Sequence, residues 1–276
     1  MTFYLPTLAL SWGYWVTLLA SGLRVGSGRV GSGSVAHFPG LLGPMFAAVA
    51  VTAVVGGRAG LQELGARMIR LGRRWSLNLL LALSPLALGA LACAVLPLMG
   101  KPLPSLSAFL QVPGVSGHWP RLAVVAAVVV VTGFDEETGW RGFLTERLLL
   151  SQSRLRSTLA VALLWALWHL PLFWLNSSMA ALSELSALTL LGWLFVLVCG
   201  AFVLAQVYLA TGHSRLCVAL WHVAFNMMVS ADVGSGVFAA IVGTALMVWG
   251  EVVVAHGWRV HSALPSATRN SSSLAP

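Results

Sequence analysis

Two adjacent glutamates, Glu136 and Glu137, close an apolar run that reads Val-Val-Val-Val-Thr-Gly-Phe-Asp-Glu-Glu-Thr-Gly-Trp-Arg-Gly from Val128 to Gly142. The chain has only eight acidic residues, and four of them fall between Asp135 and Glu146. An ionised carboxylate near hydrocarbon is costly, so each such residue is a functional-site hypothesis by default. Glu137 and Arg141 are four residues apart, share one helical face and can pair. Glu136 points roughly 100° away and is left for chemistry. Two more places put polar groups inside apolar runs. Leu164 to Pro171 holds His169, with Trp165 one turn before it; Val218 to Met227 holds His222, with Asn226 one turn after it. Trp165 and His169 thus set an indole against an imidazole, and His222 and Asn226 present a joint polar face. Pro171 lacks a backbone N–H and frees a carbonyl one turn earlier. Such breaks are tolerated in membranes where a cavity or neighbour satisfies the backbone.

The elements that must carry these residues are membrane helices. The chain has 276 residues, is 58% hydrophobic and 9% charged, where a soluble domain carries roughly a quarter charged residues. Solid apolar runs without polar alternation exclude a transmembrane β-barrel. The fold class expected is all-α, a polytopic transmembrane helix bundle. The N-terminus lacks a basic region, so its first apolar segment reads as a retained helix. A net charge of +8 in such a chain serves topology and anionic lipid rather than nucleic acid. Cys93, Cys199 and Cys217 lie inside apolar segments without C-x-x-C spacing and read as core residues.

Eight apolar segments can be marked: Phe3–Ala20, Leu41–Val55, Leu77–Met99, Leu122–Phe134, Thr158–Leu175, Ala187–Ala210, Leu216–Val229 and Val237–Ala255. A span needs roughly 20 residues, so the shorter segments must borrow from their flanks. Residues 1–258 are expected to form one transmembrane catalytic domain, and 259–276 a disordered cytoplasmic tail. With both termini inside, twelve arginines fall in inner loops and the tail. Arg24, Arg29, Lys101 and Arg121 fall outside. This asymmetry favours N-in, C-in. The basic stretch Arg58–Arg74 reads as a linker helix resting on anionic lipid. At helical rise, Glu136 lies about 22 Å below the outer surface, and His169 and His222 about 16 and 10 Å above the inner one. The three can converge in the inner half of the bilayer.

These residues resemble a known family. Glu136-Glu137-Thr138-Gly139-Trp140-Arg141 fits the E-E-x-x-x-R motif of the CAAX prenyl protease and bacteriocin-processing (CPBP, or Abi) family. His169 stands where the F-x-x-x-H motif places its histidine, and His222 to Asn226 fits H-x-x-x-N. Trp165 replaces the phenylalanine; it keeps an aromatic wall and bears on substrate fit more than on catalysis. The resemblance implies an intramembrane endopeptidase related to the Ras-converting prenyl protease. Carried over, Glu136 with His169 activates water, Glu137 belongs to the catalytic set with Arg141 and Trp165 in support, and His222 with Asn226 stabilises the oxyanion. Glu136, His169 and His222 also make a plausible three-ligand set for zinc or another divalent metal, so the enzyme would be a glutamate-type or a metallo-endopeptidase. No His-Glu-x-x-His helix is present. The expected partners are membrane lipids and a peptide or protein substrate, lipidated in the family's named case; the expected location is the cell membrane. The alternative is a non-enzymatic bacteriocin-immunity or scaffold protein of the same family. A transporter relay would call for two repeated halves, and no internal repeat is visible.

Overall fold

The computed structural model describes residues 2–23, 36–109, 133–176, 179–180, 186–230, 233–234 and 236–262. The expected tail 259–276 lies almost wholly outside them, and only the last two residues of the expected span Leu122–Phe134 fall inside. Among the described residues the structure is helical: α1 (Tyr4–Ala20), α2 (Phe38–Leu41), α3 (Gly43–Met68), α4 (Trp75–Ala82), α5 (Pro85–Leu98), α6 (Asp135–Gly139), a π-helical turn (Trp140–Thr145), α7 (Glu146–Leu149), α8 (Arg154–Trp168), α9 (Leu172–Leu175), α10 (Ala187–Ala210), α11 (Arg215–Ser230) and α12 (Gly236–Ser262).

The ends of these helices follow from local chemistry. Ser153 caps α8 by accepting the backbone N–H of Arg156, and Ser186 caps α10 by accepting that of Thr189. Pro44 and Pro85 sit in the first turns of α3 and α5, where a missing N–H costs nothing. α10 stops at Gly212 and His213, both at positive φ, where the His213 N–H returns to the carbonyl of Tyr208.

Among the described residues four helices are long and apolar enough to cross a membrane: Gly43–Met68, Arg154–Leu175, Ala187–Ala210 and Gly236–Gly257. The pair α4 and α5, bent by 45°, makes a fifth if counted as one span, and Arg215–Val229 is apolar but shorter. The protein is a multi-pass integral membrane protein. Large apolar side chains such as Val54, Leu98 and Leu188 are exposed on the outside of the bundle.

Three expectations need correction. The segment read as Leu41–Val55 runs on to Met68, across a break at Gly57 (φ 56°, ψ −151°), a conformation essentially reserved to glycine. Arg58–Arg74 is therefore no separate linker helix: its first part is the second half of α3. The segment Leu77–Met99 breaks at Leu83–Ser84, because Pro85 cannot donate to the preceding turn. His169 caps the C-terminus of α8 rather than lying within a helix.

The core gathers around α8 and α10. α10 packs on α12 and α8, while α3 packs on α1 and α6. α1 is tied to α8 by its polar groups. Tyr4 donates to the carbonyl of Leu164 at 2.9 Å, Trp12 donates to that of Trp168 at 3.0 Å, and Trp168 donates to Ser11 at 2.8 Å. Aromatic rings fill the seam: Trp140 meets Phe3 and Trp168 edge-on, with centroids 5.9 and 5.8 Å apart.

Candidate active site

The carboxylate pair stands where α6 meets the π-helical turn. Such a turn makes room for one extra residue and recurs at functional sites. It leaves the carbonyl of Trp140 to the hydroxyl of Thr145, at 2.9 Å. Two glycines let neighbouring elements close on this segment. A β-carbon at Gly139 would lie 2.5 Å from Pro44 of α3, and one at Gly142 would lie 2.1 Å from Nε of Arg215. The glycine-flanked Trp-Arg pair is thus a packing requirement as well as a motif.

Asp135 faces the N-terminus of α3. Its Oδ1 accepts the backbone N–H of Met45 at 3.1 Å, one of the helix's unpaired first-turn donors. Asp135 is fully buried and carries no chemistry in the sequence reading. The Gly-Pro start of α3 (Gly43-Pro44) was the available signal, since an uncapped helix start needs an acceptor from elsewhere.

The two glutamates have separate partners. Oε1 of the fully buried Glu137 accepts from Nη1 of Arg141 at 2.8 Å and from Nδ1 of His222 at 2.8 Å. The pairing expected from the i,i+4 spacing is present; the bond to His222, from α11, is an addition that spacing alone does not show. Oε2 of Glu136 accepts the indole N–H of Trp165 at 2.7 Å, and its Oε1 has no hydrogen bond among the described residues. Glu136 is 5% exposed.

Trp165 joins every arm of the site. Beyond its bond to Glu136, its ring lies 4.7 Å from the guanidinium carbon of Arg141. The rings of His169 and His222 meet it edge-on, with centroids 5.4 and 5.6 Å away. The indole is therefore a donor, not only an aromatic wall; a phenyl ring at this position would have no N–H for Glu136. His169 Nδ1 bonds to the carbonyl of Trp165 at 2.7 Å. A carbonyl only accepts, so Nδ1 carries the proton and Nε2 keeps its lone pair. Asn226 is half-buried one turn beyond His222, and no hydrogen bond ties its amide to the other site residues among those described. The structure thus brings Glu136, Glu137, Arg141, Trp165, His169 and His222 into one cluster, with Asn226 beside it.

The cluster does not fit a three-ligand metal site. Among the described residues no three His, Cys, Asp or Glu side chains are grouped as a metal would need.

A second polar group lies at the same end of the bundle. Glu146 accepts from Tyr208 at 2.7 Å and from His213, and Arg67 lies 3.8 Å away. Burial pushes this carboxyl up, but the bonds from His213 and Tyr208 outweigh it and hold the group below the usual carboxylate value. Arg215 is also buried, against its reading as a loop charge; it donates to the carbonyls of Leu64 and Gly142.

No curated protein matches the chain. Residues 118–228, about two fifths of its length, match the family model described as type II CAAX prenyl endopeptidase Rce1-like. The stretch takes in all three motifs, and so every carboxylate and imidazole of the cluster. This chain therefore carries, over residues 118–228, a domain of the Rce1-like type II CAAX prenyl endopeptidase family.

Proposed function

We propose that the protein is an intramembrane endopeptidase that hydrolyses a peptide bond near the membrane surface. The observation that carries this reading is the inequality of the two glutamates. Glu137 is fully buried and its Oε1 is tied to both Arg141 and His222, whereas Glu136 is 5% exposed, holds only the neutral indole N–H of Trp165, and has no hydrogen bond at Oε1 among the described residues. A buried carboxylate with one oxygen in hand suits a general base for water. His169, with its Nε2 lone pair, acts beside it as a second acceptor for the water proton. His222 in its imidazolium form donates from both ring nitrogens, Nδ1 to Glu137 and Nε2 to the oxyanion of the tetrahedral intermediate. Asn226 supplies a further donor from the same helical face. The proton taken from water returns to the leaving amine, so acid and base roles alternate at Glu136. Arg141 neutralises Glu137 and keeps the pair from repelling. The steps use the chain's own side chains; among the described residues no three His, Cys, Asp or Glu side chains are grouped as a metal would need.

The family match supports a peptide substrate. We assign the finer class, a substrate carrying a lipid near the cleaved bond, to the same reading. The test compares new protein N-termini in cells carrying the chain and in cells carrying Glu136→Ala at equal membrane abundance. Termini that vanish in the variant are the expected result. Unchanged termini would overturn the reading.

A further inference from the structure

Beside the carboxylate cluster, a cavity of about 190 Å³ opens between α3 and the motif segment. Its lining changes character along α3. Thr52, Val55, Gly56 and Gly60 make an uncharged end; Glu63, Arg67, Glu146, Arg147 and Arg215 make a charged one. The two carboxylates are already engaged. Glu63 pairs with Arg67 one turn away, and Glu146 accepts from Tyr208 and His213. Two guanidiniums have no carboxylate partner among the described residues. Arg147 lies over the ring of Phe143 and donates to that residue's carbonyl at 3.3 Å. Arg215 donates through its Nη atoms to the carbonyls of Leu64 and Gly142 and stands against the Tyr208 hydroxyl, and its buried Nε–H has no hydrogen-bond partner among the described residues. A buried donor left unmade is costly, and a guanidinium fork matches the oxygens of a phosphate.

We propose that this cavity binds the phosphate of an anionic lipid head group, with Arg147 and Arg215 facing the phosphate oxygens and the uncharged end taking the glycerol. Size supports a head group over a whole lipid, since sites for drug-sized ligands run to about 300–1,000 Å³. Position supports a lipid over a free anion. The cavity wall passes from Val55 to Arg67 along a helix long enough to span a membrane, and Arg70, Arg73 and Arg74 follow directly in the chain. Basic pockets between membrane helices are recurrent head-group sites. This role needs no peptidase activity and stands or falls apart from it.

The experiment uses the purified, delipidated full chain in a non-ionic detergent and reads its thermal unfolding midpoint. Phosphatidylglycerol, phosphatidylcholine and inorganic phosphate are titrated separately. Phosphatidylglycerol is expected to raise the midpoint saturably and phosphatidylcholine not to. Inorganic phosphate alone is expected to raise it only at high concentration. Arg147→Gln should weaken the phosphatidylglycerol response at least about tenfold. Gly56→Leu should do the same by filling the cavity without changing charge; a β-carbon at Gly56 meets no neighbour within 4 Å, so the substitution brings no backbone clash. Arg154→Gln, an exposed arginine outside the cavity, should leave the response intact. An equal response to phosphatidylcholine, or an unchanged one in Gly56→Leu, overturns the proposal. So does a loss in Arg154→Gln as large as that in Arg147→Gln, since surface charge then explains it. If inorganic phosphate alone matched phosphatidylglycerol, the lipid source would fall and a free phosphate site would replace it.

Discussion

The two glutamates differ in what their loss would do. Glu137 neutralises a buried guanidinium and holds a buried imidazole. Removing one partner of a buried pair leaves an uncompensated charge, typically costing about 3–5 kcal/mol. Glu137→Ala should therefore lower the thermal unfolding midpoint sharply, whereas Glu136→Gln, which keeps an acceptor for Trp165, should leave it near that of the parent. Equal midpoints for the two variants would contradict the division of roles. The i,i+4 pairing of Glu137 with Arg141 was legible in the sequence because it is local and fixed by helix geometry. The bonds Trp165–Glu136 and His222–Glu137 were not, because both depend on how separate helices register against one another. Trp165 carries the second prediction at this scale. If its N–H orients Glu136, Trp165→Phe keeps the ring and loses only that bond. On a peptide substrate found by the new-termini comparison, kcat should fall about tenfold or more with KM nearly unchanged. A wild-type kcat would reduce Trp165 to packing.

At the scale of elements, three breaks shape the site, and hydropathy saw none of them in full. An apolarity window averages over the backbone and is blind to a glycine at φ 56° or to a bend at Leu83–Ser84. It therefore ended α3 too early and drew α4 and α5 as one rod. The caps are local, each serine accepting an N–H three residues on, so they lie within the reach of the sequence. What ties α7 to the α10–α11 turn was not, because Glu146 finds Tyr208 and His213 across more than sixty residues. That tie has a pH signature. The folded carboxyl titrates below its usual value of 4.5, so its contribution is fully present above that value and is lost as pH falls through the lower folded one. Stability of the wild type measured from pH 6 downward should drop more steeply than that of Glu146→Gln, which has no carboxylate to protonate. Parallel curves would show that the tie carries no net stability.

At the scale of the molecule, the hydropathy pattern made the membrane class legible, but not the number of crossings. Among the described residues four helices qualify by length and composition, with a fifth from the bent pair, while the eight-segment reading also counted α1, α11 and the stretch 122–134, most of which lies outside those residues. The connections pair by end of the bundle. The stretch after α3 meets the turn before α11, where Ser214 donates to the carbonyl of Arg70, and Glu146 of the 146–153 connection meets His213 of that turn. All three are inner loops in the eight-span scheme, and all are arginine-bearing. At the other end, the Val233 N–H donates to the carbonyl of Ala108 at 3.2 Å, joining two loops that the scheme puts outside. Loops that touch share a side, so α4–α5 and α11 each lead from one set to the other. With the positive-inside bias, this predicts an inner face at Glu146, His213 and Arg70 and an outer face at Lys101. Single cysteines introduced at Arg70 and Lys101, in a chain with Cys93, Cys199 and Cys217 replaced by alanine, can be labelled with a membrane-impermeant maleimide. Lys101→Cys should react in intact cells and Arg70→Cys only after permeabilisation. Reaction of both in intact cells would break the scheme. Reversed reactivity would turn the bundle over and open both the carboxylate cluster and the arginine cavity to the opposite compartment.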